Sequence, residues 1–503
     1  MSKIKIGWSE VDMTPKKGSK ISLAGQFFER ITDEVESPIT VTAFALESGD
    51  DQMVIAACDI VAIGTNVMEE VRNNLKGKID LPLDKIIVSA IHSHTSMTYK
   101  RKSYVAGKGD KASSRSTLQF LKEIIPEDMA YKPLVSNEEC LSPDECLEIL
   151  VNSICTAVIN AWNNRKPAYY QNAFGRAVVG MNRRVCYDDG SAKMWGDTNL
   201  ANFVELEGGN DSGIELIYTY DENKELSGVI ANIACPAQVV EHRSFISSDY
   251  WGKVKANLRA KYGDHIQVLG LCSAAGDQCP RDMIRWVEPE SYIDDPNIKR
   301  KEVLPRRADP SMFDISGLKV VGRRISNEII SVYEELDKSN LKDEGLLVHE
   351  TFDITLPLRR VTIAEYNNAL EQLDKFVEKN RGRRISFDDN AAMHIYAGTA
   401  ARYELQQRIN TFKEEIHIVR FGDIAFATNP FELFLDYGNQ IRARSKAKQT
   451  FLIQLACGAD GYLPTEKAEK GSHYSAYVSS GYTGHEGGDI LVRETLERIN
   501  NKF

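Results

Sequence analysis

Five apolar, β-branched runs in this chain each stop at a cluster of chemically reactive side chains: IIVSAIHSH, GVIANIAC, IQVLGLCSAAGDQC, DIAFATNPFE and FLIQLACGADGY. Nothing else in the sequence constrains the fold as strongly. Such runs read as strands, and in open α/β sheets ligands sit beyond the strand ends. If the five strands share one sheet and point one way, their endings converge on one site. The plainer explanation is that polar residues end most strands. The fold class expected is α/β, a mixed β-sheet core flanked by helices, with the site at strand ends.

VTAFALE and MVIAACDIVAI read as two strands around the hairpin-like SGDDQ, followed by a helix from Asn66 to Leu75. Residues 100–144 are charged, Ser-rich and aperiodic, which predicts a loop excursion. A helix then runs from Cys146 to Asn163. Over residues 362–415 the spacing turns helical, with Leu370, Leu373, Phe376 and Val377 on one segment and Ile395, Leu405, Ile409 and Phe412 on another. The polar RGRRISFDD between them predicts a helical hairpin insertion, with two helices packed separately on a sheet as the alternative. No internal repeat, low-complexity tract or linker divides the chain, so residues 1–503 are expected to form a single unit.

With 42% apolar and 27% charged residues, disorder, collagen and coiled coil are excluded. A balance of 62 Lys and Arg against 72 Asp and Glu leaves a formal charge of −10, which disfavours nucleic acid and anionic bilayers as partners. The start carries no apolar stretch of signal-peptide length, and no run approaches the roughly 18 residues of a spanning helix. A cytoplasmic protein without membrane insertion is expected, acting on a small-molecule substrate, with a homo-oligomer left open. Nine cysteines, an odd number at low density, suggest reduced thiols.

His92 and His94 lie two apart in IHSH, and strand alternation would project both imidazoles from one face, which suits a metal or a hydrogen-bonded ligand. Two ordinary histidines at a polar strand end would read the same way. Cys235 precedes Pro236, which stops a regular central strand and leaves the thiol at a turn. It could ligate zinc or pack as a small apolar residue. GLCSAAGDQCPR, residues 270–281, permits close backbone approach and presents Asp277, Cys279 and Arg281. A carboxylate there could orient water and a thiol could be a nucleophile, or the segment is a simple turn. Glu432 follows an apolar run and a proline, as a helix first-turn residue or a ligand. Tyr474 and Tyr477 lie in a Gly/Ser-rich stretch beside His473. No role falls to His242, His265, His349, His394, His417 or His485.

With these pieces in order the sequence resembles the neutral/alkaline non-lysosomal ceramidase family, zinc hydrolases that cleave the amide of ceramide. The similarity spans most of the chain. It includes Asp12, Thr14 and Pro15 of a D-x-T-P opening, the Leu-Ala-Gly ending at Gly25, and SAIHSH at 89–94 against the family's S-A-T-H-T-H. It continues through Asn182-Arg183, ISSD at 246–249, G-D-x-C-P at 276–280, PFE at 430–432, and a Gly-Tyr pair whose glycine stands thirteen residues before Tyr474. The resemblance implies His92, Glu432 and Tyr474 as zinc ligands, His94 as the oxyanion or substrate partner, and Arg183 reaching into the pocket.

Two departures bear on chemistry. Fourteen residues before Asp249, where the family has a ligand histidine in His-Pro, this chain has Cys235-Pro236. Thiolate and imidazole both suit zinc, so the resemblance implies a His92/Cys235/Glu432/Tyr474 site with weaker Lewis acidity, aided by Asp277 as proton shuttle. The family's serine in the Ser-Pro turn is Cys279 here, which unsettles any substrate-orienting role. On substrate, the family carries a further β-sandwich, whereas this chain ends 29 residues past Tyr474, and Thr95–Met97 replaces the usual S-G-P. A small polar substrate is therefore expected in place of ceramide.

The leading expectation is a zinc-dependent amidohydrolase acting on an N-acyl bond through metal-activated water. Three rivals stand beside it: a glycoside or ester hydrolase on the same metal, a metal-free hydrolase with Cys279 or Cys235 as nucleophile, and a non-catalytic relative.

Overall fold

The computed structural model describes residues 2–16, 18–26, 28–100, 117–130, 140–285 and 314–503. Its main strands fall into three sheets rather than one, the first five-stranded with the short Lys166–Pro167 at its edge and the other two four-stranded, beside smaller two- and three-stranded pieces. The first holds β1 (Ile4–Asp12), β2 (Thr40–Ser48), β3 (Asp51–Cys58) and β4 (Ile86–Ala90), with α1 (Thr65–Leu75) crossing over between β3 and β4. α2 (Thr117–Ile124) and α3 (Pro143–Asn163) follow. The second holds β5 (Tyr169–Arg176), β6 (Gly213–Tyr220), β7 (Leu226–Ile233) and β8 (Gln267–Cys272), with α4 (Tyr250–Tyr262) as crossover and α5 (Ile315–Glu335) after it. The third holds β9 (Leu347–Pro357), β10 (Thr411–Phe421), β11 (Ile424–Thr428) and β12 (Gln449–Ile453). Between β9 and β10 lie α6 (Ile363–Lys379) and α7 (Phe387–Leu405). The crossover from β11 to β12 is α8 (Leu435–Arg444), and α9 (Glu466–Gly471) and α10 (His485–Asn500) complete the chain.

The same order recurs in residues 4–163, 169–335 and 347–500: three antiparallel strands, a crossover helix, a fourth strand parallel to the third, then a covering helix. The sequence shows no repeat, yet the topology is threefold. Parallel pairing demands the helical crossover, so each module has the same reason for its helix.

Side-chain alternation explains why the strands read as continuous apolar runs. In β6 to β8, Ile217, Ile230, Leu269 and Leu271 face a central core, while Leu216, Val229 and Val268 face the layer of α4 and α5. In β10 to β12, Val419, Phe426, Phe451 and Ile453 join that same central core, while Ile418, Ala425 and Leu452 face outward. β2 and β3 supply the third side of the core. Each fully buried aliphatic side chain contributes roughly 1.5–3 kcal/mol, so a core shared by three sheets dominates the stability of the whole.

The topology also determines where the site lies. In every module the turn from strand one to strand two, the end of strand three and the end of strand four lie at one edge of the sheet. Backbone hydrogen bonds stitch these edges together: Ala90 N to Leu455 O at 3.2 Å, Ala237 N to Ile91 O at 3.2 Å, Gln454 N to Cys272 O at 3.0 Å and Gly276 N to Leu433 O at 2.8 Å. All five strand endings singled out above belong to this seam, although they come from three sheets.

α3 starts on a capping box, Ser142 with Glu145, and a proline at its first turn. It is long and apolar enough to cross a membrane, contrary to the reading that no run is. Its buried face, including Leu150, Ile154 and Trp162, packs against β1 and β2. α6 and α7 each start on a capping box, Thr362 with Glu365 and Ser386 with Asp389, and pack on one another. The helical stretch ends at Leu405, and Thr411 to Glu415 already belong to β10. Of the excursion expected over 100–144, residues 101–116 and 131–139 lie outside the described residues. The part between them carries α2, whose Phe120 and Leu121 pack with Leu373, Met393 and Ala397 of the hairpin.

Candidate active site

His92 and His94 lie beyond β4, not on it. His92 takes a left-handed φ of 67°, an uncommon conformation for a residue with a side chain. The imidazoles nevertheless meet, Nε2 to Nε2 at 3.2 Å, through a turn instead of a pleat. His92 Nδ1 donates to the Val61 carbonyl at 2.7 Å, which aims Nε2 at Glu432 Oε2, 3.4 Å away. His94 Nδ1 stands 3.2 Å from Glu241 Oε2. Gly25, with φ of 95°, lies against the His94 ring so closely that a Cβ there would sit 2.5 Å from Cγ. Arg30 fastens the same turn, donating to the carbonyls of His94 and Glu241 at 2.7 Å each.

Glu432 comes from the end of β11, and Tyr462 pairs beside it through a short parallel bridge. Burial works against its charge, but His92, the Tyr462 hydroxyl and Arg183 hold Glu432 below the ordinary carboxylate range. Burial and then the Glu432 charge push Tyr474 up to about 12, and its hydroxyl bonds to that of Tyr462. Arg183 comes from the insertion between β5 and β6. Its guanidinium donates to Gly276 O at 3.1 Å, Gln238 Oε1 at 3.3 Å and the Tyr462 hydroxyl at 3.5 Å, and its buried Nε has no partner among the described residues. Burial opposes its charge, yet Tyr462, Cys279, Glu432 and Glu241 raise it. Glu241 itself is brought down to about 2 by His94 and His242 in spite of burial.

Three expected roles do not fit this geometry. The Cys235 thiol is fully buried and donates to the carbonyls of Val179 and Pro236 at 3.6 and 3.7 Å; burial, with Cys279, Cys272 and Asp249 nearby, pushes it far up. It does not join His92 and Glu432. Among the described residues, the one trio of His, Cys, Asp or Glu whose ligand atoms all lie within 4.8 Å of one another is Glu415, His417 and Cys457. Asp277 has both carboxylate oxygens committed, Oδ2 to Asn182 Nδ2 at 2.7 Å and Oδ1 to Leu435 N at 2.9 Å. Its carbonyl accepts from Arg183 N at 2.9 Å. It is a positioning residue that ties the Arg183 segment to the start of α8, not a proton shuttle, even though burial raises it to about 6. The Cys279 thiol donates to the Arg281 carbonyl at 3.3 Å and is pushed up to about 12 by burial, so it is neither a poised nucleophile nor an evident substrate contact.

Glu241, Gln238 and Tyr462 join the site although residue pattern alone does not single them out as site residues. Tyr462 is the tyrosine of the Gly-Tyr landmark and was legible as a candidate; Glu241 had no motif to mark it. The donors that remain suit a divalent ion. His92 Nε2 and Glu432 Oε2 are separated by 3.4 Å, against about 3.3 Å across a shared tetrahedral zinc. The Tyr474 hydroxyl, bonded to that of Tyr462, is the further oxygen donor influenced by the Glu432 charge.

No family model matches the sequence, and no curated protein sequence matches it. Solved structures do. Neutral ceramidase from Pseudomonas aeruginosa superposes with a TM-score of 0.65 at 15% identity, over 100% of this chain and 75% of that one. A ceramidase complexed with C2 gives 0.63 at 12% identity, over 100% and 75%. The chain has a neutral ceramidase-like fold, of the mixed α/β class expected.

Proposed function

We propose that this protein is a zinc-dependent hydrolase that cleaves a C–N amide bond, removing an acyl group from a small polar amine in the cytoplasm. The observation that carries the reading is the His92–Glu432 pair, locked from behind by Val61 and set at the seam of a ceramidase-like fold. His92, Glu432 and Tyr474 would hold the ion. Bound there, zinc would supply a Lewis acid for the scissile carbonyl and a water of lowered pKa.

The chain's own residues supply the rest. Glu241 Oε2 faces His94 Nδ1 at 3.2 Å, and His94 Nε2, beside His92 Nε2, would accept a proton from water and return it to the departing amine. This His94–Glu241 pair takes the proton role that Asp277 cannot fill. Arg183, cationic and with an Nε that has no partner among the described residues, stabilises the oxyanion. Its backbone is held by Asp277, so the two act in series.

A panel of N-acyl amines, esters and glycosides, assayed before and after chelation, tests the reading. Amine release that chelation abolishes is expected. Turnover confined to esters or glycosides would reassign the bond, and full activity of metal-stripped protein would overturn the metal.

A further inference from the structure

Glu415, His417 and Cys457 lie apart from the residues just described. Glu415 and His417 are on β10 and Cys457 follows β12, all facing the first module. His417 Nε2 is 3.0 Å from Glu415 Oε1 and 3.5 Å from Cys457 Sγ. Bonds of about 2.0–2.1 Å to nitrogen and oxygen and about 2.3 Å to sulfur, at tetrahedral angles, give separations of about 3.3 and 3.6 Å. The observed pair of distances is close to that pattern.

Hydrogen-bond direction supplies an independent argument. His349 Nδ1 lies 3.1 Å from the Gln52 carbonyl, so it carries its proton there. His349 Nε2 then accepts from His417 Nδ1 at 2.9 Å. The Thr351 hydroxyl, already donating to the Asp84 carbonyl at 2.6 Å, also accepts from His417 Nδ1 at 3.1 Å. With its proton on Nδ1, His417 presents a lone pair at Nε2 to a carboxylate oxygen and a sulfur. His417 Nε2, a Glu415 oxygen and Cys457 Sγ thus converge on one point, with His417 and Cys457 buried and Glu415 partly so, a set that suits a cation once the thiol gives up its proton. Arg72 holds Glu415 in place, pairing both carboxylate oxygens at 2.6 and 2.8 Å. Cys457 is held at a left-handed φ of 58° by a bond from its N to the Val88 carbonyl at 2.8 Å, which points its thiol inward.

We infer that Glu415, His417 and Cys457 bind a structural zinc-class cation, the thiolate included, that pins the third module to α1 and β4 of the first. Coordination forms bonds from Nε2, a carboxylate oxygen and Sγ to the ion, with the thiol proton released to solvent.

The test uses full-length protein loaded with cobalt(II) in place of zinc, with metal content measured in parallel. Thiolate-to-cobalt charge-transfer absorption is expected in the wild type, retained in Glu432→Ala and Cys235→Ser, and lost in Cys457→Ala and His417→Gln. Metal retention at this site should fall at least about tenfold in the last two variants. Glu432→Ala protein should keep about one equivalent that Cys457→Ala then removes. If that equivalent is kept while the wild type holds no second one, the inference stands and the catalytic metal fails. If all metal leaves with Glu432→Ala, the catalytic reading stands and this site is a hydrogen-bond network only. A charge-transfer band lost in Cys235→Ser but kept in Cys457→Ala overturns the inference.

Discussion

At the scale of residues, the sharpest contrast is between Glu432 and Cys235. Glu432 faces a histidine whose other nitrogen is fixed; Cys235 bonds only to backbone carbonyls. Replacing Glu432 by Ala should abolish metal-dependent turnover, whereas Cys235→Ala should leave metal content at the catalytic site and turnover within twofold. The second change still removes a buried side chain and should cost about 1–2 kcal/mol, read as a lowered denaturant midpoint. His92 and Glu432 are legible as candidates because each ends an apolar run, and Tyr474 only through the order of motifs that resembles a known family. Cys235 misleads for a physical reason: occupying a ligand's alignment position does not orient a side chain, and here the thiol turns toward Val179. The His349–His417 contact was illegible because 68 positions separate partners that only the pairing of β9 with β10 brings together.

At the scale of elements, charged pairs lock the modules to one another across their helices. Lys255 and Arg259 of α4 reach Glu10 on β1, at 3.2 and 2.9 Å, and Lys255 also reaches Asp59 at 3.4 Å. Burial raises the Glu10 pKa, but the two cations outweigh it and lower the pKa below its ordinary 4.5. A depressed carboxylate contributes stability that is present above pH 4.5 and lost as pH falls below it. Glu10→Gln should therefore lower the unfolding midpoint at neutral pH and flatten its decline on acidification below about 4.5. Neutral and acid-side thermal scans of both proteins would show this. The helical hairpin over 363–405 was readable from its period, and its attachment was not. Arg402 on α7 donates to the carbonyls of Tyr482 at 2.7 Å and Arg359 at 3.2 Å, fastening the hairpin to the loop that carries Tyr474.

At the scale of the whole molecule, three modules of one topology share a single core. Val54, Ile230 and Phe451 belong to different sheets and to one cluster. No module can unfold without exposing the others' inner faces, so heating should give one transition with matching calorimetric and van't Hoff enthalpies. Separate transitions, or a stable proteolytic fragment covering 169–335, would contradict this. The endings converge although the strands lie in three sheets, because apolar runs report burial on both faces but not which strands pair. The repeat is absent from the sequence because each module meets the same topology with different side chains. The insertions between first and second strands, residues 13–39, 177–212 and 358–410, all open at the seam. Under the proposed function, substrate preference can drift through three separate loops, each free to lengthen or shorten around the arginines it carries, while the three-sheet interior that sets the strand ends behind His92 and Glu432 inherits none of the change.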